Sequence, residues 1–231
     1  MRAIRCCPTL RVLWLPLGLV ATCLIATGCT SSLVNYEAQT HVVQSGETLY
    51  TIAWRYRLDY QQLARINGLD DPDLIYVGQR LVLRGGTPVR SVPTGSAPSR
   101  SLPPPSVFPP PVWRWPVNGE IVSPFGADSG LANGIGIAGR LGDRVHAAAS
   151  GRVVYAGSGL IGYGQLLIIK HNDTYLSAYG YNSRLIVQQG DEVSSGQMIA
   201  EMGNGPAQRP QLHFEIRRNG VPEDPLRHLP R

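Results

Sequence analysis

Between residues 85 and 112 the sequence holds nine prolines and five serines, no acidic residue, and Phe108 as its only aromatic. Such a stretch cannot bury enough apolar surface to offset the entropy of ordering it, so it is expected to stay unfolded. It splits the 231 residues into a short part before it and a longer part from Trp113 onward, each of which must bury its own core. Proline density favours a polyproline II path of about 3.1 Å per residue, giving the spacer a reach of up to roughly 90 Å.

The formal charge of +5 is concentrated at the start. Arg2, Arg5 and Arg11 precede Cys29, so a chain beginning at Cys29 keeps 18 of the 21 basic residues against 16 acidic ones. The remaining basic residues are scattered, a pattern that argues against a nucleic-acid partner. Residues 1–28 have the layout of a secretory signal. Three arginines lead into the uncharged run Val12 to Ala26, shorter than the about 20 residues a membrane span needs, and Ala26-Thr27-Gly28-Cys29 follows. Small residues running into a cysteine resemble a bacterial lipobox, although Ala26 stands where leucine is usual. The resemblance implies that Cys29 is diacylated and becomes the mature N-terminus, anchoring the chain to a membrane. An uncleaved anchor or a plain secretory signal are the alternatives. Cys6, Cys7 and Cys23 leave with the signal, so one cysteine remains and no internal disulfide forms. Thr30, where an aspartate would favour the inner membrane, implies the periplasmic face of the outer membrane.

Residues 29–40 read as a polar tether, and the pattern changes at His41. A β-type run, His41 to Gln44, ends at Ser45-Gly46. Thr48 is placed to cap a helix over Leu49 to Tyr56, whose Leu49, Ile52, Ala53 and Tyr56 share a face. A second helix fits Tyr60 to Asn67, with Gly68 just beyond it. The strand Arg80 to Leu83 closes a β-α-α-β unit over residues 41–84. Its V-x-x-G-E-T-L, L-A-R-x-N-G and V-G-Q-x-L segments resemble a LysM domain. The resemblance implies binding of peptidoglycan glycan strands between the loop after the first strand and the loop before the last. Candidate contacts are Gly46, Glu47, Thr48, Leu49, Asp70 and Ile75. The competing reading of Gly46 and Thr48 is ordinary turn and cap chemistry.

From Trp113 to Arg231 short strands and glycine turns follow one another without a long helical pattern, as an antiparallel β core requires. Strands are expected at Arg152–Ala156, Leu166–His171 and Tyr175–Gly180, and another at Gln211–Ile216. In the last, alternation puts Leu212, Phe214 and Ile216 on one face and Gln211, His213 and Glu215 on the other. The segments S-P-F-G, A-N-G-I-G-I, A-Y-G-Y, G-x-x-V-x-x-G-Q-x-I-A and Q-L-H-F resemble the LytM-type (lysostaphin-like, M23) peptidoglycan metallopeptidases. Carried over position by position, the resemblance places Ala132 and Gly136 where that family has zinc-binding histidine and aspartate. Tyr181 and Gln211 stand where it has catalytic histidines, and His213 matches the third zinc ligand. A catalytic zinc needs about three protein ligands and an open position. Ala132 and Gly136 carry no donor atoms, and one imidazole fixes no geometry, so the expectation is no metal and no catalytic residue. His213 then reads either as a packed strand histidine or as lining for a vacant groove.

The expected fold class is mostly β: a C-terminal LytM/M23-like antiparallel β-sandwich domain plus a small α+β LysM domain. Anchor, LysM, spacer and metal-free LytM domain, in that order, resemble the lipoproteins of the NlpD type. That resemblance implies activation of a periplasmic zinc-dependent N-acetylmuramoyl-L-alanine amidase, with Tyr163, Tyr181, Arg184, Gln211 and His213 as candidate partner contacts. Two alternatives are an active M23 zinc endopeptidase and a passive peptidoglycan-anchoring lipoprotein.

Overall fold

The computed structural model describes residues 40–83, 109–127 and 131–231. The signal, Cys29, the tether apart from Thr40, and most of the spacer lie outside these residues. In the N-terminal domain, β1 (Thr40–Val42) pairs antiparallel with β2 (Arg80–Val82), enclosing α1 (Leu49–Tyr56) and α2 (Tyr60–Ile66). Thr48 caps α1 as its sequence position suggests. Its hydroxyl accepts from the Thr51 N–H, and the Thr51 hydroxyl accepts from the Thr48 N–H. Asp59 caps α2 with a single bond, its carboxylate accepting from the Gln62 N–H. Asn67 ties α2 to β2 by bonding both the N–H and the carbonyl of Val82.

The face expected for α1 differs from the one observed. Every residue from Leu49 to Trp54 is buried, whereas Tyr56 is 38% exposed. A helix buried nearly all round has two neighbours. The first is its own small domain. The second is the C-terminal domain, onto which Trp54 and Tyr50 pack.

That larger domain runs β3 (Ile121–Ser123), β4 (Ile135–Ala138), β5 (Arg144–His146), β6 (Gly151–Gly157), β7 (Gln165–Lys170) and β8 (Tyr175–Leu185). After these come β9 (Glu192–Val193), β10 (Met198–Met202), β11 (Gln211–Arg218) and β12 (Val221–Glu223). The main ladder is antiparallel in the order β3-β4-β11-β8-β7-β6-β9. Strand β10 pairs with both β5 and β8, bringing Val145, Ile199, Ala200 and Met202 onto one face. There they join Leu167, Ile169, Tyr179, Leu212, Phe214 and Ile216 in the first core.

Strand alternation sends Val154, Leu166, Ile168, Leu176 and Ala178 to the opposite face. In many antiparallel sheets that face is wet. Here it forms a second core with Leu49, Tyr50, Ile52, Ala53, Trp54, Tyr60 and Leu63 of the LysM domain. Around this core Tyr60 Oη donates to Asp173 Oδ1 at 3.2 Å, Lys170 Nζ lies 5.2 Å from the Tyr60 ring centre, and Arg152 pairs with Asp73 at 3.1 Å.

The β11–β12 turn meets the α1–α2 loop at Gly220. Its φ is +76°, and a Cβ there would stand 2.2 Å from the Leu58 carbonyl oxygen. Gly196 has a similar φ of +81° with nothing within 4 Å of the same position. Both Gly196→Ala and Gly220→Ala meet the left-handed backbone penalty, roughly 1–2 kcal/mol. Only Gly220→Ala also pushes against the LysM backbone, so its melting temperature should fall further. Equal losses in thermal melts would show that the turn does not bear on the junction.

Candidate functional site

Strand β11 is the middle of the site. His213 pairs with Gly136 of β4 on one side and Gly180 of β8 on the other, so no side chain from either neighbour stands beside it. The space is filled by two tyrosines. The rings of Tyr163 and Tyr181 lie 5.7 Å and 5.8 Å from the imidazole, at 69° and 58° to it. Tyr181 takes a φ of +62°, rare for an aromatic residue and seen where the surrounding structure imposes it. Its N–H donates to the Tyr163 carbonyl at 2.7 Å, and its own carbonyl accepts from the Gly203 N–H at 2.8 Å. Strand β8 therefore continues five residues past the expected end at Gly180, through this bulge.

The carboxylate of Glu215 is fully buried on the same face and fully satisfied. Its Oε1 accepts from His213 Nε2 at 2.9 Å and from Tyr163 Oη at 2.8 Å. Its Oε2 accepts from Arg217 Nε at 3.0 Å, and Arg217 Nη2 lies 3.0 Å from the same oxygen. Because an ionised carboxylate only accepts, His213 must donate from Nε2. Burial pushes the Glu215 carboxyl up, but the Arg217 charge and the His213 and Tyr163 hydrogen bonds outweigh it, leaving the carboxyl below its ordinary value. Burial, with the Glu215 charge behind it, pushes the Tyr163 and Tyr181 hydroxyls up, in keeping with Tyr163 donating to the carboxylate.

Arg217 then reaches across to the LysM domain. Its guanidinium lies 3.6 Å from the Trp54 ring centre, and its Nη1 donates to the Trp54 carbonyl at 2.8 Å. That carbonyl belongs to the last turn of α1, where a cation is favoured. Trp54 Nε1 completes the chain by donating to Tyr163 Oη at 3.2 Å.

The positions expected to have lost zinc ligands do not fit the metal. Ala132 is exposed and Gly136 buried. A Cβ on Gly136 would stand 2.9 Å from Ser123 Cβ and 3.3 Å from Gln211 Oε1. A ligating side chain there would have to displace both, because the Gln211 amide lies over the glycine. Among the described residues no group of three His, Cys, Asp or Glu side chains is placed to hold a metal ion.

Of the candidate partner contacts, Tyr163, Tyr181, Gln211 and His213 are brought together, but Tyr163, Tyr181 and His213 are only 6%, 9% and 3% exposed. Arg184 stands apart, exposed and paired with Glu201 of β10. Of the candidate glycan contacts, Gly46 and Asp70 are exposed and Ile75 is half-buried. Leu49 belongs to the core, and Thr48 is occupied by its cap. Glu47 points at His41 and Arg55, both at 2.6 Å. Glu215 was placed on the correct face by alternation without a role. Trp54 and Arg217 carry no sequence signal of theirs, beyond a charged residue at the buried end of an apolar strand.

The Peptidase family M23 model matches residues 130–225, and the LysM domain model residues 41–84. Over 228 residues the sequence is 46% identical to the lipoprotein NlpD/LppB homolog of Pseudomonas aeruginosa, spanning 83% of this chain and 77% of that protein. This chain belongs to the NlpD/LppB lipoprotein family. It is also 36% identical to the uncharacterized lipoprotein YgeR of Escherichia coli, across 92% of this chain and 91% of that one. To the murein hydrolase activator NlpD of Escherichia coli it is 34% identical, across 85% and 69%. In this family member the C-terminal domain is a degenerate M23 domain.

Glu215 gives the site a definite acid response. A carboxyl held below its unfolded value of about 4.3 contributes stability that is complete above that value and lost as pH falls through the lower folded value. The melting temperature should therefore drop on acidification below about pH 4.3, with a shallower slope in Glu215→Gln. At neutral pH that variant leaves Arg217 buried without its counter-charge, at a cost of about 3–5 kcal/mol. A Glu215→Gln protein as stable as wild type at pH 7 would refute the assignment.

Proposed function

We infer that this chain is a peptidoglycan-binding activator of a cell-wall hydrolase. It is held by lipidated Cys29 at the periplasmic face of the outer membrane, and binds glycan strands through its LysM domain. Its C-terminal domain does no cutting and instead activates a periplasmic N-acetylmuramoyl-L-alanine amidase. The observation that carries this reading is the filling of the groove: the Gln211 amide covers Gly136, and Tyr181 packs on the one retained histidine. A groove so filled has no place for a hydrolytic water on a metal. It does hold aromatic and amide groups of the kind interfaces use as anchors, with the Gln211 amide the most open of them. The family supports the same reading, since one relative is a murein hydrolase activator.

The decisive experiment is dye release from labelled peptidoglycan by the soluble chain from residue 30, alone and with each periplasmic amidase of the same organism. Release is expected only in a mixture, and stripping zinc from this protein beforehand should not change it. Release by this protein alone would overturn the reading. Tyr181→Ala and Arg184→Glu should each lower the stimulated rate severalfold, the range of an interface contact worth about 1 kcal/mol or more. A folded variant that stimulates like wild type removes that residue from the docking surface.

A further inference from the structure

The LysM domain sits on the face of the sheet that carries the groove, and the contact combines a buried apolar cluster with polar-tipped aromatics and open clefts. Tyr163, one of the groove's aromatics, is closed off by Trp54, whose Nε1 bonds its hydroxyl. The LysM aromatics on the seam have polar tips: besides Trp54, Tyr60 bonds Asp173 across it. Side chains of this type are suited to a surface that is alternately buried and wet. The buried charges are suited to it as well. Glu215 and Arg217 both belong to β11, and Tyr163 belongs to the same domain. When LysM departs, their mutual bonds remain and no charge is orphaned. What is given up to water is the two Trp54 hydrogen bonds, its stacking on Arg217, the rim pairs and the apolar contact with Val154, Leu166, Ile168 and Leu176.

The seam is also incompletely filled, unlike the close packing of a protein interior. A cleft of about 590 Å³ runs between Gln44, Trp54 and Arg57 on one side and Leu131, Ile161 and Tyr163 on the other. Ile161, at its edge, is 99% exposed. A second cleft of about 280 Å³ brings Thr48, Tyr50 and Asp73 of LysM against Arg152, Val154 and Gly190. Thr48 and Asp73 lie on the two loops between which a glycan is expected to bind. Both therefore face the C-terminal domain, and Asp73 is already held by Arg152.

We propose that the LysM domain is a releasable cap: its docking on the sheet and the binding of a glycan strand between its loops exclude one another. Glycan engagement then uncovers Tyr163 and the face around it for the hydrolase partner. This rests on the glycan-binding and activating roles argued above and supplies their coupling. A ligand that binds only the undocked form is weakened by the fraction of time the chain spends docked. Loosening the cap must therefore strengthen glycan binding, although no glycan contact has been altered.

The test uses the soluble chain from residue 30, oligomers of the N-acetylglucosamine–N-acetylmuramic acid repeat, and two variants. Trp54→Ala removes the central contact. Arg152→Glu, on the C-terminal domain, sets like charges against Asp73 without touching either proposed binding surface, and it serves if Trp54→Ala fails to fold. Titration is expected to show binding strengthened severalfold in Arg152→Glu, and by roughly tenfold in a folded Trp54→Ala if the wild-type chain is docked nine-tenths of the time. Hydrogen exchange should show the amides of Leu58 and Asn219, on either side of the junction, losing protection when saturating oligomer is added to wild type.

Equal affinity in wild type and variants, with junction protection unchanged by oligomer, would overturn the exclusion while leaving glycan binding intact. Increased protection would overturn it too, by showing that the glycan binds between the domains. Failure of all three proteins to bind would overturn the glycan reading itself, and this coupling with it.

Discussion

The ion pair of Glu215 and Arg217 is the interaction on which both halves of this structure depend. It stands on the second face of β11 with the two side chains 0% and 1% exposed. Two charges in such a place are costly unless every donor and acceptor around them is used. The demand is met from three directions. His213 comes from the vacant site, Tyr163 from the loop before β7, and the Trp54 carbonyl from the end of a helix in the other domain. The retained histidine thus has work as a hydrogen-bond donor whether or not a metal was ever near it.

This explains how the metal site can be lost while its surroundings persist. Gly134 lies so close to β11 that a Cβ would fall 2.4 Å from the Phe214 carbonyl oxygen. Gly136 and Gly180 flank His213 in the ladder. These positions are held by backbone packing, which does not depend on what a ligand does. Gln211 and Tyr181 have taken up the space, and Tyr181 does so in a left-handed conformation fixed by backbone bonds to Tyr163 and Gly203.

Much of this was legible in local sequence. The Thr48 cap, the β-α-α-β order, the antiparallel strands and the facing of Leu212, Phe214 and Ile216 follow from short-range rules, and all are present. The junction between domains was not legible, because nothing in an isolated strand says what will cover its second face. One hint was there: Leu166-Leu167-Ile168-Ile169 is apolar at every position, where a strand with one wet face alternates. Nothing local marks Glu215 and Arg217 as buried, since their burial is decided by a helix about 160 positions away. Arg184 is a different case. It lies three residues beyond Tyr181 on the same strand, exposed and paired with Glu201, whereas Tyr181 is buried against His213.

The two-sided burial of the sheet bears on how the molecule can be dissected. Cutting the chain before residue 113 removes the cover from Val154, Leu166, Ile168 and Leu176 together, one contiguous apolar strip on a flat β surface. Strips of that kind recruit whatever is nearby, including other copies and hydrophobic proteins in a mixture. A C-terminal fragment that sticks to many partners would thus be reporting a bared sheet, with little bearing on selectivity. Authentic recognition has to be measured on molecules that still carry residues 40–83.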